Sequence, residues 1–194
     1  MIGGLVLAAG GSSRYGAPKQ LAELAGRPLL EHALAAMAAA PVDRLVVVLG
    51  SRAREVLDAA DLHGAKPVVA DDWEEGQAAS LRAGIRALAD AEAAVVTLGD
   101  QPMISPAAIE RVLAARTPKA QALRATYGGV PGHPVLLESV LFERLAALRG
   151  DAGAREVLAE VRVRDVPCDG LGRPDDVDTL EELEAMRDEA RAIV

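Results

Sequence analysis

Apolar residues in this chain fall into short runs that end at glycine or acidic breaks, separated by longer stretches of helical period. The runs 2–9, 45–49, 67–70 and 93–98 stop at Gly10-Gly11, Gly50, Asp71-Asp72 and Gly99-Asp100 respectively. Continuous runs of this length, bounded by turn residues, predict strands buried on both faces. Between them, residues 29–40, 52–60, 78–89 and 106–115 predict helices, the last with Ser105 as its cap and Pro106 at the first helical position. Strands alternating with helices imply right-handed βαβ units and a parallel sheet. After Arg116 the rhythm changes. Segments 121–127 and 130–137 flank a glycine turn and read as a hairpin or crossing pair. Helical segments 139–148 and 152–160, a strand 161–166 and a helix from near Thr179 complete a sequence without repeats or linkers.

A length of 194 residues suits a single domain. Hydrophobic residues at 51% and charged residues at 26% describe a soluble globular protein. Aromatics reach only 2%, so the core must be aliphatic, and modules that stack bases on several rings are excluded. The net charge of −8 weighs against a nucleic-acid backbone as partner, although a local basic loop can still bind an anion. Cys168 is the one cysteine, which rules out an internal disulfide and a cysteine-based zinc site, and fits a reducing, cytoplasmic compartment. Residues 1–10 lack a basic leader pattern, and no apolar stretch approaches the ~18 residues of a membrane span. Neither a membrane nor nucleic acid is expected as a partner.

Open parallel sheets bind ligands beyond the carboxyl ends of their strands, which directs attention to the loops after Ala9, Leu49, Ala70 and Leu98. Residues 7–20 read L-A-A-G-G-S-S-R-Y-G-A-P-K-Q. Glycines 10, 11 and 16 permit close backbone approach, and Ser12, Ser13, Arg14 and Lys19 offer hydroxyls and positive charge to phosphate oxygens. The spacing matches neither G-x-x-x-x-G-K-[ST] nor G-x-G-x-x-G, so an ordinary glycine-rich turn is the alternative. Asp100, just beyond the strand ending at Leu98, is placed either to hold Mg²⁺ against phosphates or to start the turn before Pro102. Asp178, followed by Glu181, has the spacing of a helix N-cap.

The 7–20 loop, G-D-Q-P at 99–102, G-H-P-V at 132–135, G-D-A-G-A-R at 150–155 and D-V-D-T at 176–179 occur in the order found in molybdenum cofactor cytidylyltransferases, and the chain resembles that family over nearly its whole length. The resemblance implies a three-layer α/β/α, Rossmann-like nucleotidyltransferase fold with a mostly parallel mixed sheet. Its nucleotide-binding part would span about 1–116 and its acceptor-binding part about 117–194. It implies a nucleotide cradle from Leu7, Ala8, Ala9, Gly10, Gly11, Arg14 and Lys19, with Arg14, Lys19 and Asp100 catalytic. Mg²⁺ would be held by Asp100 and Asp178, with Asp176 the nearest substitute.

The family loop beside base and ribose aligns with 71–81, where Gly76 and Ser80 match but Gln77 and Ala79 depart from the usual Met and Ser. Asp71 to Glu75 reads otherwise as a solvated acidic turn with Trp73 over its edge. His133 and Arg155 fall where the acceptor binds, although Arg155 has Glu156 and Glu160 as alternative helical partners. Cys168 reads as a loop thiol, and 181–189 as the polar face of a surface helix. The implied reaction moves CMP from CTP to the terminal phosphate of a molybdopterin-type acceptor, releasing pyrophosphate and forming a cytosine dinucleotide cofactor, with a recipient molybdoenzyme as a further partner. A guanylyl or other transferase, or a non-catalytic cofactor-delivery protein, are the alternatives.

Overall fold

The computed structural model describes residues 1–10, 18–151 and 153–192. In chain order the elements are β1 (Ile2–Ala8), a small hairpin of β2 (Glu23–Leu24) and β3 (Arg27–Pro28), α1 (Leu29–Ala38), β4 (Arg44–Leu49), α2 (Ala53–Ala59) and β5 (Lys66–Val69). They continue with α3 (Gln77–Ala87), β6 (Ala93–Leu98), α4 (Pro106–Ala114), β7 (Ala122–Tyr127), β8 (Val130–Glu138), α5 (Phe142–Ala146), α6 (Arg155–Ala159), β9 (Val163–Pro167) and α7 (Leu180–Ala192).

Seven strands form one mixed sheet in the order β5-β4-β1-β6-β8-β7-β9. The four strands read from apolar runs lie side by side and parallel, with Leu5 opposite both Val46 and Val96. β8 enters antiparallel to β6 and to β7, and β9 returns parallel to β7. From β1 the chain winds outward through β4 and β5, then crosses back to β6. A right-handed crossover that reverses direction must place its helix on the opposite face. Accordingly, Leu30, Leu34 and Met37 of α1, Val56 of α2 and Ile109 of α4 pack with Val6, Val47 and Val95. Leu81 and Ile85 of α3, Phe142 and Leu145 of α5 and Val157 of α6 pack with Leu5, Val46, Val48 and Val96 on the other face. Neighbouring strand residues thus feed opposite layers, which is why these strands lack polar alternation. Pro67 is tolerated because β5 is an edge strand.

Several boundaries differ from the sequence expectation, including the ends of α1 and α3 by two residues each. The segment expected as helix 152–160 begins only at Arg155, because Gly150 and Gly153 adopt left-handed φ values of 69° and 54°. Residues 139–148 open with a single 3-10 turn, Ser139–Leu141, before the short α5. The last strand starts at Val163 rather than 161. β2 and β3 were not anticipated, since two-residue strands are too short to display a period.

With few aromatic residues, close backbone approach supplies much of the packing. A Cβ placed on Gly84 of α3 would lie 2.5 Å from a methyl of Leu5, which is itself fully buried in β1. No helix among the described residues is long and apolar enough to cross a membrane. Gly84→Val should destabilise the protein by about 1–3 kcal/mol through overpacking. Calorimetry should show a fall in Tm of roughly 2–4 °C for each kcal/mol in a chain of this size.

Candidate functional site

The strand order reverses between β1 and β6, and the carboxyl ends of these strands are the position where open α/β sheets form a ligand crevice. Leu7 and Ala8 are the last residues of β1, and the Leu7 carbonyl accepts from Gly99 N–H at 2.8 Å. Ala9 is buried and Gly10 exposed. Gly11 and Arg14 lie outside the described residues. The chain returns at the 3-10 turn Lys19–Leu21, where the buried Gln20 donates from Nε2 to Ala8 O at 2.7 Å and to Gly10 O at 3.2 Å. Gln20 thereby clips the end of the loop to its beginning. The sequence reading missed it; the only signal was a polar residue directly after the loop lysine, bordering an apolar position.

Lys19 joins the segment after β6 to the segment before α7. Its Nζ donates to Asp100 Oδ2 at 2.7 Å and to Asp178 Oδ1 at 2.8 Å. Burial works against the charged ammonium, but the two carboxylates outweigh it and raise the lysine above its ordinary value. Asp178 reaches this point because the segment after β9 is laid across G-D-Q-P. Arg173 N–H donates to Met103 O, Val177 N–H to Asp100 O, and the buried Gln101 donates from Nε2 to Pro174 O at 3.0 Å and Asp176 Oδ1 at 2.8 Å. Val177 is fully buried against Leu24, Leu29, Leu183 and Met186, which docks α7 behind the crevice. Asp176 faces a less favourable setting for a charge: burial, then Asp100, push its carboxyl up despite the Gln101 bond.

The capping role expected for Asp178 belongs to its neighbour. Thr179 Oγ1 accepts from Glu182 N–H at 3.2 Å, and Glu182 Oε2 accepts from the N–H groups of Thr179 and Asp178 at 2.9 and 2.7 Å. This is a reciprocal capping box. It uses only the backbone of Asp178 and leaves the carboxylate directed to Lys19.

His133 stands beside this cluster. Arg124 pairs with Val135 and Ala125 with Gly132, so His133 and Pro134 are extra residues on β8. Bulges of this kind re-aim side chains next to sites. Gly132 lies against Pro174, where a Cβ would come within 2.9 Å, and Tyr127 OH donates to His133 O at 2.9 Å. Burial lowers the imidazole to about 4, although the Asp100 carboxylate acts in the opposite direction.

Gly76 and Ser80 lie at the start of α3, apart from the first group, with Arg155 following a loop packed against that helix start. Gly76 precedes α3 with φ 108°, and Ser80 is buried in the helix's first turns. The loop preceding Arg155 sits on this helix start: Ala78 N–H donates to Gly150 O at 3.1 Å, and Asp151 occupies the space where a side chain on Gly76 would project. Trp73 reaches back toward the first group, its Cβ against Gly50 at the end of β4.

Arg155 is exposed, and the helical pairing weighed for it is not formed with Glu160, which instead bonds Arg144. The acidic turn at 71–75 is not simply solvated, since Asp72 and Glu75 both accept from the buried Arg82. Arg82 was also missed, and here a signal existed: it shares a helix stripe with Ala78, Leu81 and Ile85, where a charge is out of place. Cys168 lies in the loop just after β9, as expected, but is fully buried in the core, with its thiol pushed up by that burial.

Comparison with known proteins places these features in context. The family described as MobA-like NTP transferase domain matches residues 4–166. The nicotine blue oxidoreductase of Paenarthrobacter nicotinovorans is 33% identical over 191 residues, 93% of each chain. The solved structure of the Mycobacterium tuberculosis Rv0371c homologue from Mycobacterium sp. strain JC1 has a TM-score of 0.89 at 35% identity, covering 100% of this chain and 98% of that one. Rv0371c of Mycobacterium tuberculosis H37Rv in complex with manganese has a TM-score of 0.83 at 32% identity, covering 96% and 98%.

Because the folded imidazole titrates below an unfolded histidine near 6.5, its contribution to stability is present above pH 6.5 and is lost as pH falls toward 4. In metal-free protein, NMR of the His133 ring should give a midpoint near 4. A midpoint at 6 or above would contradict this description of its environment.

Proposed function

We propose that this chain, which belongs to the MobA-like NTP transferase domain family, transfers CMP from CTP to the terminal phosphate of a molybdopterin-type acceptor, with divalent-metal assistance. The observation that carries this reading is the convergence of Asp100 and Asp178 on one ammonium at the crevice between β1 and β6. A cation at that point is what a divalent ion would replace. Two carboxylates with the remaining positions left to phosphate oxygens and water form a donor set suited to Mg²⁺. No group of three or more acidic, histidine or cysteine ligands is present among the described residues, which also suits an ion that arrives with its nucleotide. The manganese complex of Rv0371c supports a divalent ion in a relative of this fold.

In this reading Asp100 and Asp178 would hold Mg²⁺, and Asp176, with its raised carboxyl, is the poorer ligand. When bound, the ion would neutralise phosphate charge and polarise the α-phosphate. Lys19, released from the carboxylates, and Arg14 would bind the triphosphate, while the backbone from Leu7 to Gly11 lies alongside it. Gly76 and Ser80 would border the base and ribose, and His133 and Arg155 the acceptor. His133, uncharged at neutral pH, would donate or accept a hydrogen bond rather than contribute a positive charge.

An oxygen of the acceptor phosphate attacks the α-phosphorus as the bond to the β-phosphate oxygen breaks, and pyrophosphate leaves. The nucleophile is already anionic, so alignment and charge stabilisation suffice and no protein nucleophile is needed. The L-A-A-G opening of the first loop favours CTP over GTP in this family.

A second reading comes from the relative named as an oxidoreductase, which covers 93% of this chain. It requires electron transfer between the substrate and a redox co-substrate, with no pyrophosphate released. Product analysis with molybdopterin and each nucleoside triphosphate tests the transfer reading: pyrophosphate and a cytosine dinucleotide support it, and absence of pyrophosphate with every nucleotide overturns it.

Asp100→Asn and Asp178→Asn should each lower the pyrophosphate release rate by about 100-fold or more, the scale of losing a principal transition-state charge contact. Lys19→Gln should separate two effects. Nucleotide-free protein should bind Mn²⁺ more tightly in an electron paramagnetic resonance titration, because the competing ammonium is gone, while turnover falls.

A further inference from the structure

Arg82 is 2% exposed, on the inner stripe of α3, yet its guanidinium bonds two separate loops. Toward one side, Nη2 donates to Glu75 Oε2 at 2.9 Å and to Asp72 Oδ2, both in the acidic turn after β5. Toward the other, Nη1 donates to Leu148 O at 2.8 Å, at the end of α5. A buried guanidinium is costly unless its donors are satisfied, so neither loop can leave without stranding charge. The loops also touch directly. Gly150 O accepts from Ala78 N–H, Asp151 fills the space above Gly76, and Gly153 lies where a Cβ would meet Gln77 Oε1 at 3.0 Å.

We propose that Arg82 is a positioning residue that joins the 72–76 turn and the 148–153 loop into one mechanical unit, so that a ligand on the first is felt at the second. Only the identity of the ligands rests on the transferase reading, in which the first loop borders the nucleotide and the second the acceptor. Arg82 itself touches neither. Its planar fork is what permits simultaneous bonds in two directions, and a lysine ammonium in its place reaches one side at a time. In-line transfer depends on two ligands held in fixed relation, and a shared anchor under both loops supplies it.

Hydrogen exchange on the full chain tests this in two arms. Without ligand, Asp72→Asn/Glu75→Gln should raise exchange across 148–153 by about tenfold, although neither substitution touches that loop, while β1 and β6 stay unchanged. Arg82→Lys should do the same. Since Asp72 and Glu75 are half-exposed, the double variant carries the test even if Arg82→Lys fails to fold. Faster exchange confined to the 71–77 segment overturns the coupling.

With CTP and Mn²⁺, protection at 71–80 should spread to 148–153 in the wild type and remain local in Arg82→Lys, whose kcat should fall more than its KM for CTP rises. Equal spreading in both proteins overturns the coupling. Absence of any protection at 71–80 in the wild type counts instead against the nucleotide reading, and the ligand-free arm then decides the coupling.

Discussion

Two carboxylates directed at one point repel each other unless a cation lies between them, and this constraint organises the crevice. Lys19 supplies the cation in the ligand-free protein, drawing together segments separated by 81 and 159 positions in the chain. Everything nearby serves that meeting. The reversal of strand order sets the loops after β1 and β6 side by side, Gln20 holds the lysine's loop to the strand end, and Gln101 and Val177 seat the final acidic segment. Under the proposed function, a divalent ion would take the place that the ammonium holds here.

The division of labour between the two faces of the sheet follows from side-chain size. Alanine, glycine and short aliphatics let α3 approach β1 closely, and that proximity brings the start of α3 against the loop before α6. The buried guanidinium of Arg82 adds directed bonds to packing that is otherwise non-directional. An acidic protein can thus present carboxylates freely at its rim, because several of them are neutralised from within.

Much of this architecture was legible in the sequence. Uninterrupted apolar runs ending at glycine announce parallel strands, and the glycine turn at 128–129 announces the β7–β8 hairpin. Lys19, Asp100 and Asp178 were each named, and their direct contact emerged only in three dimensions, since no local pattern encodes a bridge across so many positions. Gln20 and Gln101 act by bonding backbone groups, which leaves no periodic trace. Thr179 rather than Asp178 caps α7 because the box closes on Glu182, one position beyond the carboxylate that spacing suggested. The small hairpin at Glu23–Pro28 escaped notice because two-residue strands display no period, and its tie to α7, from Arg187 to Glu23 O, spans most of the chain.

The route by which Asp178 arrives bears on how the centre is completed. Every strand of the main sheet ends by Pro167, so the second carboxylate belongs to a segment laid on after the last strand rather than to the sheet itself. What seats it is local: the Thr179–Glu182 box at the start of α7, Val177 beneath that helix, and the bonds from Gln101 to Pro174 and Asp176. The pairing of Lys19 with both carboxylates thus depends on contacts outside the sheet's own hydrogen-bond ladder.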